Sequence, residues 1–336
     1  MLPLGKLPVE LLQRLLERWP VRDPRVLVGP GIGIDCAVVD AGAKLMVFKS
    51  DPITFATDEI GWYAVQINSN DLATTGATPR WFLATLLLPE GKTTPQMVNQ
   101  IGEQVYQACQ ELGIAVIGGH TEVTHGLERP ILMGTLVGEV ERQRLITPRN
   151  AAVGDRVLLT KGVPIEATAI LAREFPDRLR QTLSAEELRQ AADYLYRPGI
   201  SVLKDAQIAL AAGRVTAMHD PTEGGLAAAL WELADASGRR IHFDPQAVAI
   251  PPLAGRVCAA FGLDPLTTIA SGALLLTSAA EDADAIRQAL EQAGIGCAEI
   301  GQVEEGPAGV WHVVEGQSRP YPRPERDSIA AIFESP

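Results

Sequence analysis

The sequence has few basic residues and no cluster of them, which limits the partners that the protein can have. Its 29 Lys and Arg residues are outnumbered by 41 Asp and Glu residues, giving a formal net charge of −12. Nucleic-acid surfaces need clustered Lys and Arg to contact phosphates. The composition therefore argues against a nucleic-acid partner, and an anionic ligand would need a metal ion or backbone amides to be held.

Long apolar runs and paired cysteines are also missing. No apolar stretch approaches the length of a membrane span, and the N-terminus resembles an amphipathic helix without the apolar core of a signal peptide. The cysteines form no CxxC pair and have no histidine at ligand spacing, which argues against a zinc site; they are Cys36, Cys109, Cys258 and Cys297. We therefore expect a cytoplasmic protein with buried, unreactive thiols and no membrane contact.

The length of 336 residues exceeds one ordinary core and indicates two domains. Strands and helices alternate, but several strands follow one another directly, which favours an α+β protein with mixed sheets over a purely parallel sheet. The character of the chain changes near Pro148, Arg149 and Asn150. We therefore expect an N-terminal domain over 1–150, a C-terminal α/β sandwich-like domain over 151–320 and a tail over 321–336.

Hydrophobic periodicity predicts several individual elements. "DEIGWYAVQINSNDLATTGA" and "TPQMVNQIGEQVYQACQELG" are expected to be helices, the second capped by Thr94 and begun by Pro95. "RWFLATLLLPEG", "HFDPQAVAI" and "SGALLLTSA" are expected to be strands, and "IEATAILAREF" a helix. The C-terminal "RPYPRPERDSIAAIFESP" is expected to be extended and then briefly helical.

The first of these helices contains an unexpected polar cluster, formed by Asn68, Asn70 and Asp71. Burying such groups costs free energy unless the protein or a ligand supplies hydrogen bonds. Asp35 and Asp51 lie at strand ends nearby in the sequence, and hard cations such as Mg²⁺ take carboxylate oxygens. Each acid alone could cap a turn or a helix; together they favour a metal site.

Three glycine-containing turns are candidate phosphate or metal contacts. "GPGIG" (29–33) is a weak signal that a loop alone would explain. "IGGHTEVT" (117–124) is either a turn at a sheet edge or a contact to phosphate or metal. "MHDPTEGGLAAALWELA" (218–234) opens a helix whose free amides could bind an anion, although a capping box explains the same residues. Lys161 either reaches phosphates or flanks a turn.

Six motifs together carry a family resemblance: "GIGIDCAVV", "SDPITF", "INSNDLATTGATPRW", "GGHTEVT", "GDRVLLTKG" and "MHDPTEGGLAAAL". In this order and spacing, they resemble the superfamily of aminoimidazole ribonucleotide synthetase, thiamine-monophosphate kinase, selenophosphate synthetase and hydrogenase maturation (expression/formation) protein E. The last is most similar, through "DPTEGGLA" and "NDLATTGATP". The resemblance implies a homodimer paired through the N-terminal domains into a barrel-like sheet. It also implies ATP, Mg²⁺ and phosphoryl transfer to an oxygen or similar acceptor, with the C-terminal domain completing the nucleotide cleft.

The resemblance also implies roles for single residues. Asp35, Asp51 and Asp71 would be magnesium ligands, with Glu122 as a substitute ligand, and Asp71 and Asp220 would be catalytic. The remaining residues would contact ATP or support its phosphates; they are Asn68, Asn70, Gly118, Gly119, Thr121, Gly224 and Gly225.

The chain departs from the family pattern in three places. Ile34 precedes Asp35 where many relatives have two adjacent acids, and His120 follows the Gly-Gly turn where Asp is common. The sequence ends "AAIFESP" without the cysteine that accepts a carbamoyl group in hydrogenase maturation protein E; its last cysteine is Cys297.

Three functional hypotheses follow from the resemblance and the departures. The first is a phosphoryl-transfer enzyme, dependent on ATP and Mg²⁺, that activates an amide, carbamoyl or similar oxygen on a small molecule or another protein. The second is a small-molecule kinase resembling thiamine-monophosphate kinase. The third is a non-catalytic paralogue that binds a nucleotide or a partner.

Overall fold

The computed structural model describes residues 7–18, 20–53, 58–314 and 316–334. They form two compact units. We call Arg22–Gly29 with Asp35–Leu145 the N-terminal unit; the rest of the described chain, mainly from Ile146 onward, is the C-terminal unit. Each unit contains one mixed sheet with helices, so the expected two-domain architecture with mixed sheets is confirmed.

The N-terminal unit is a six-stranded sheet with two long helices. In chain order its elements are β1 (Val26–Val28), β2 (Ala37–Asp40), β3 (Leu45–Ile53), α2 (Ile60–Ala73), β4 (Thr78–Pro89), α3 (Pro95–Glu111), β5 (Ala115–Thr124) and β6 (Ile131–Val140). The strand order is β1-β2-β3-β6-β4-β5. All neighbours are antiparallel except β4 and β5.

Helix α2 is buried on all sides because it packs between the sheet and α3. Gly61 permits the close approach, since a Cβ there would lie 2.7 Å from Ile101 O. Side chains alternate between the two faces of each strand, so Leu45 and Val47 of β3 are buried while Phe48 is exposed. The sheet therefore has one face covered by α2 and one open face.

The C-terminal unit is a seven-stranded sheet with helices. It begins with α1 (Val9–Leu16) and continues with β7 (Arg156–Thr160), α4 (Glu166–Glu174), α5 (Pro176–Leu179), α6 (Ala185–Asp193), α7 (Leu203–Ala212), β8 (Val215–His219), α8 (Gly225–Ser237), β9 (Arg240–Phe243), α9 (Pro252–Phe261), β10 (Leu275–Ser278), α10 (Ala283–Gln292), β11 (Cys297–Glu304), β12 (Gly309–Val314), β13 (Gln317–Pro320) and α11 (Ala330–Glu334). The strand order is β13-β12-β9-β11-β7-β10-β8, with only β12 and β9 parallel among the pairs of described residues.

The core of the C-terminal unit lies between this sheet and α8. Leu226, Leu230 and Leu233 occupy one side of α8 and are fully buried in a cluster with strand residues such as Ile241 and Leu275. A spacing of three and four residues is the period of a helix face. This packing fixes the position of the helix start, where the "DPTEGG" turn lies.

Most of the predicted elements occur in the structure. Helix α3 begins at Pro95, and the Thr94 hydroxyl accepts a hydrogen bond from the Met97 amide, as expected of its cap. The strand predicted for "HFDPQAVAI" is wrong beyond Phe243, because the Asp244 carboxylate accepts a hydrogen bond from the Gln246 amide and opens a short 3₁₀ turn. Helix α9 was not predicted.

The thiol prediction is confirmed, since all four cysteines are buried and free. Burial raises the pKa of Cys109, Cys258 and Cys297 to about 12. Within the described ranges, no helix combines the length and apolar character needed to cross a membrane.

Candidate functional site

A lysine lies among the acids that the sequence singles out in the N-terminal unit. Lys49 Nζ is 3.0 Å from Asp51 Oδ2 and 3.3 Å from Asp71 Oδ1. Lys49 and Asp51 are two residues apart on β3 and therefore share the face that α2 covers, whereas Asp71 comes from α2. We call Lys49, Asp51, Asp71 and the neighbouring Asp35 the acidic cluster.

The acidic cluster is held together by charge in a mostly buried setting. Burial alone would lower the pKa of Lys49, but Asp71, Asp51 and Asp35 outweigh it and raise that pKa well above its usual range. The side chain of Asp71 is 3% exposed, and that of Asp51 is 36% exposed. Asp51 and Asp71 thus meet at an ammonium group that the protein itself supplies, and Asp35 lies near enough to act on its charge.

Asn68 ties α2 to β3 beside this cluster. Its Oδ1 accepts a hydrogen bond from the Asp51 amide at 3.0 Å, and its Nδ2 donates to Ala64 O at 2.8 Å. Gly134 leaves room for this contact, because a Cβ there would lie 2.6 Å from Asn68 Nδ2. For Asn68, internal hydrogen bonds therefore satisfy the buried amide, and its predicted role toward ATP stays a prediction.

The other predicted residues of the N-terminal unit differ in exposure. Asn70 is fully buried in α2. Gly118, Gly119, Thr121 and Glu122 lie on β5, the edge strand, which is exposed from Ala115 to Val123.

The sheet register sets how far the β5 residues are from Asp51. Asp51, Gly134, Ala84 and Gly119 form one row across four strands. Glu122 is three residues further along β5 and lies 3.0 Å from His120 Nε2. The predicted ATP contacts of Gly118, Gly119 and Thr121 stay predictions, whereas this odd offset places Glu122 on the other face of the sheet from Asp51, so its predicted role as a ligand beside Asp51 is not supported.

The predicted residues of the C-terminal unit lie together at the start of α8. Asp220 follows β8 and is 1% exposed. The Gly224 amide donates a hydrogen bond to Asp327 Oδ2 at 2.5 Å, so the tail of the chain, rather than Thr222, holds this amide. Gly225 has φ +62°, and a Cβ there would lie 2.6 Å from Thr268 O.

Besides Asp220, another acidic residue lies near this turn, and the sequence analysis did not single it out. Glu166 begins α4 and is 5% exposed. Burial raises its pKa to about 8, the Ser271 hydroxyl and amide hold it down, and Glu223 and Asp327 raise it further. Glu166 Oε2 has no hydrogen-bond partner in the part of the chain that the structure describes.

Lys161 is used internally. Its Nζ lies 3.1 Å from Asp205 Oδ2 and donates to Ser201 O and Gly272 O, and its side chain is 7% exposed. Of the two interpretations that the sequence left open, these contacts favour the turn, which Lys161 enters with φ +57°.

Comparison with known families decides the assignment. The profile described as "AIR synthase related protein, N-terminal domain" matches residues 33–140, and the corresponding C-terminal domain profile matches residues 152–314. The chain belongs to the AIR synthase related proteins.

Two curated proteins are similar to this AIR synthase related protein over most of their length. A putative hydrogenase expression/formation protein of Methanocaldococcus jannaschii is 29% identical over 301 residues, covering 85% of each chain. The carbamoyl dehydratase HypE of Cupriavidus necator is 31% identical over 278 residues, covering 79% of this chain and 74% of that protein.

Two solved structures show the same fold. HypE in complex with ATP superimposes with a TM-score of 0.72 at 24% identity, covering 94% of this chain and 91% of that one. ThiL complexed with AMPPCP and TMP superimposes with a TM-score of 0.70 at 22% identity, covering 95% of both chains.

Lys49 is the residue of the acidic cluster that sequence reasoning missed. A signal was present, because Lys49 precedes Asp51 by two residues in a predicted strand, and a two-residue period places both on one face. Glu166 gave a weaker signal, as the single charge in "VPIEATAILA".

Proposed function

We propose that this AIR synthase related protein is a phosphoryl-transfer enzyme that depends on ATP and Mg²⁺ and activates the oxygen of an amide, carbamoyl or similar group. The observation that carries the proposal is that Asp51 and Asp71 meet at Lys49 Nζ in the N-terminal unit, with Asp35 near enough to raise the pKa of Lys49. The likeness to structures of HypE with ATP and ThiL with AMPPCP supports it.

The carboxylate oxygens of the acidic cluster are the type of ligand that a magnesium ion prefers. Hard divalent cations take carboxylate oxygens together with phosphate oxygens and water, and two carboxylates meet here with a third nearby. Asp35, Asp51 and Asp71 would hold the ion, whereas Glu122 pairs with Leu87 on the face of the sheet opposite Asp51 and is not proposed as a ligand of this ion. When bound, Mg²⁺ would neutralise phosphate charge, which is the main requirement of phosphoryl transfer.

The chain's own residues would position the reactants. Asn68 fixes the β3 backbone at Asp51 through its side-chain amide, so the carboxylate of Asp51 is held in place by α2. Preorganised groups of this kind need no rearrangement during the reaction. We propose ATP contacts for Asn70, Gly118, Gly119, Thr121, Gly224 and Gly225, and a catalytic role for Asp71 and Asp220.

The accepting group is proposed to lie outside this chain's thiols. All four cysteines are buried, and burial raises the pKa of three of them to about 12. A protonated, buried thiol is a poor nucleophile. We therefore propose a small molecule or a group on another protein as the acceptor.

Calorimetric titration of ATP into the purified protein, with and without Mg²⁺, tests this function. We expect Mg²⁺-dependent binding in the micromolar range and a loss of affinity of about 100-fold, or about 2.7 kcal/mol, in Asp71→Asn and Asp51→Asn. The second variant changes a more exposed residue and so limits the risk of misfolding. Glu111→Gln, at an exposed position of α3, is the control and should bind as the wild type does.

Absence of ATP binding in the folded wild-type protein would overturn the proposal. Binding without turnover would favour the non-catalytic alternative. The likeness to ThiL complexed with TMP supports the small-molecule kinase alternative, and phosphorylation of thiamine monophosphate by this chain would establish it.

We also propose a homodimer that pairs the N-terminal units into a barrel-like sheet. Phe48, Val137 and Trp81 form an apolar row across β3, β6 and β4 on the open face, and Phe48 is 38% exposed. Contiguous apolar patches of this kind mark interaction surfaces. The edge strand β5 adds unpaired backbone groups beside this face.

Sedimentation velocity tests the dimer. We expect a dimer at micromolar concentration and a shift to monomer in Phe48→Lys, because the interface would have to desolvate a charged ammonium group. Tyr106→Lys replaces an exposed aromatic residue on α3 and should stay dimeric. A monomeric wild-type protein at these concentrations would refute the proposed assembly.

A further inference from the structure

The ammonium group of Lys49 occupies the position where the acidic cluster would receive a cation. Its Nζ is within 3.0 Å of Asp51 and 3.3 Å of Asp71. The Lys49 side chain is only 13% exposed, so these two carboxylates are its principal charged neighbours in a confined space.

The same two oxygens cannot serve Lys49 and a divalent ion at once. A magnesium ion binds carboxylate oxygens at about 2.0 to 2.1 Å, so an ion shared by Asp51 and Asp71 would fall in the volume that Nζ fills. The two cations would also repel each other strongly at that distance. The flexible four-carbon stem of lysine permits the ammonium to leave without movement of β3.

We infer that Lys49 is an internal competitor of the divalent ion at Asp51 and Asp71. This inference rests on the proposed function, and it specifies how the site is regulated. With Lys49 in place, the chain binds free divalent ions weakly, because each ion must displace an ammonium group. The metal then enters together with the nucleotide, whose phosphates provide a new partner for the displaced ammonium.

A purely structural ion pair would give the same coordinates but a different response to metal. If Lys49 only neutralises buried acids, its removal leaves unpaired carboxylates and destabilises the chain whether or not metal is present. If Lys49 competes with metal, its removal opens the site, and a divalent ion restores the missing charge. Metal-dependent recovery of stability therefore distinguishes the two.

The experiment uses Mn²⁺ as the probe, with the full chain and no nucleotide. Electron paramagnetic resonance would measure Mn²⁺ affinity, and thermal unfolding would be followed with and without Mn²⁺. We expect Lys49→Met to bind Mn²⁺ at least tenfold more tightly than the wild type, or about 1.4 kcal/mol, and to regain its lost thermal stability in Mn²⁺. Lys44→Met removes an exposed lysine paired with Glu139 and should behave as the wild type in both measurements.

Lys49→Arg keeps a cation in the site and should bind Mn²⁺ no better than the wild type. For a result that needs no variant, acylation of Lys49 by acetic anhydride in the wild type should increase several-fold at saturating Mn²⁺. Equal Mn²⁺ affinity in the wild type and Lys49→Met, or a Lys49→Met variant that Mn²⁺ does not recover, would overturn the competition while leaving the metal site intact. Failure of both proteins to bind Mn²⁺ would overturn the metal site of the proposed function as well.

Discussion

Replacing Gly225 with alanine is expected to lower the free energy of unfolding by about 2 to 5 kcal/mol. The backbone at Gly225 has φ +62°, where a side chain costs about 1 to 2 kcal/mol. A Cβ would also lie 2.6 Å from Thr268 O and 2.7 Å from Leu266 O, and such overpacking costs about 1 to 3 kcal/mol. The contacts are with backbone atoms, so a change of rotamer cannot relieve them.

Gly238 offers a matched control at the other end of the same helix. Its φ is +66°, and a Cβ there would meet nothing within 4 Å. Gly238→Ala should therefore lose only the backbone contribution, about 1 to 2 kcal/mol. Urea-induced unfolding of both variants measures the difference. Equal losses of unfolding free energy would mean that the loop around Thr268 relaxes and that the close approach at Gly225 does not contribute to stability.

Removing the titrating carboxyl of Glu166 should abolish much of the pH dependence of stability between about pH 4.5 and pH 8. Burial raises the pKa of Glu166 from 4.5 to about 8 in the folded chain, so the native state keeps a proton that the unfolded state releases. Between these values the unfolded state binds fewer protons, and wild-type stability falls as pH rises by up to about 1.4 kcal/mol per pH unit. Asp327, whose pKa is raised to about 6 by burial, adds to the lower part of this window.

Glu166→Gln retains the shape of the side chain without a titrating group. We expect this variant to be more stable than the wild type by several kcal/mol at pH 9, with little difference at pH 4.5, since the wild-type carboxyl is neutral there in the folded state. Denaturant unfolding at several pH values measures this, with Glu291→Gln, an exposed helix residue of the same unit, as the control. Parallel pH profiles for Glu166→Gln and the wild type would contradict the prediction.

The parts of the fold that could be predicted are those in which local chemistry decides the outcome. The Thr94–Pro95 start of α3 and its apolar period lie within one segment, and the structure reproduces both. The end of the strand at Phe243 was missed because the competing Asp244 side-chain cap outweighs an apolar pattern that continues to Ile250. Helix α9 lacks a polar face regular enough to separate it from a loop.

The sequence predicts which residues belong to the candidate site better than it predicts how they contact one another. Asp51 ends a predicted strand, and Asp71 lies on a predicted helix with unexplained polar residues. The two were therefore expected to meet. Their contacts in the folded chain could not be predicted, because they are tertiary and leave no sequence spacing. The two carboxylates contact Lys49, and Asn68 contacts the β3 backbone. The pairing of Gly224 with Asp327 spans 103 residues and has no local signature.

The exposed edge strand β5 also affects whether the newly synthesised chain aggregates. A strand of ten residues with unpaired backbone groups is a template on which other chains can add and aggregate. Val116, Ile117 and Val123 supply the apolar side chains that favour such growth, and all are more than 45% exposed. The Gly118–Gly119 pair and the polar His120 and Glu122 interrupt that run, as gatekeeper residues do in aggregation-prone segments. We therefore expect these four residues to protect solubility in concentrated, newly made protein, independently of any role in binding a ligand.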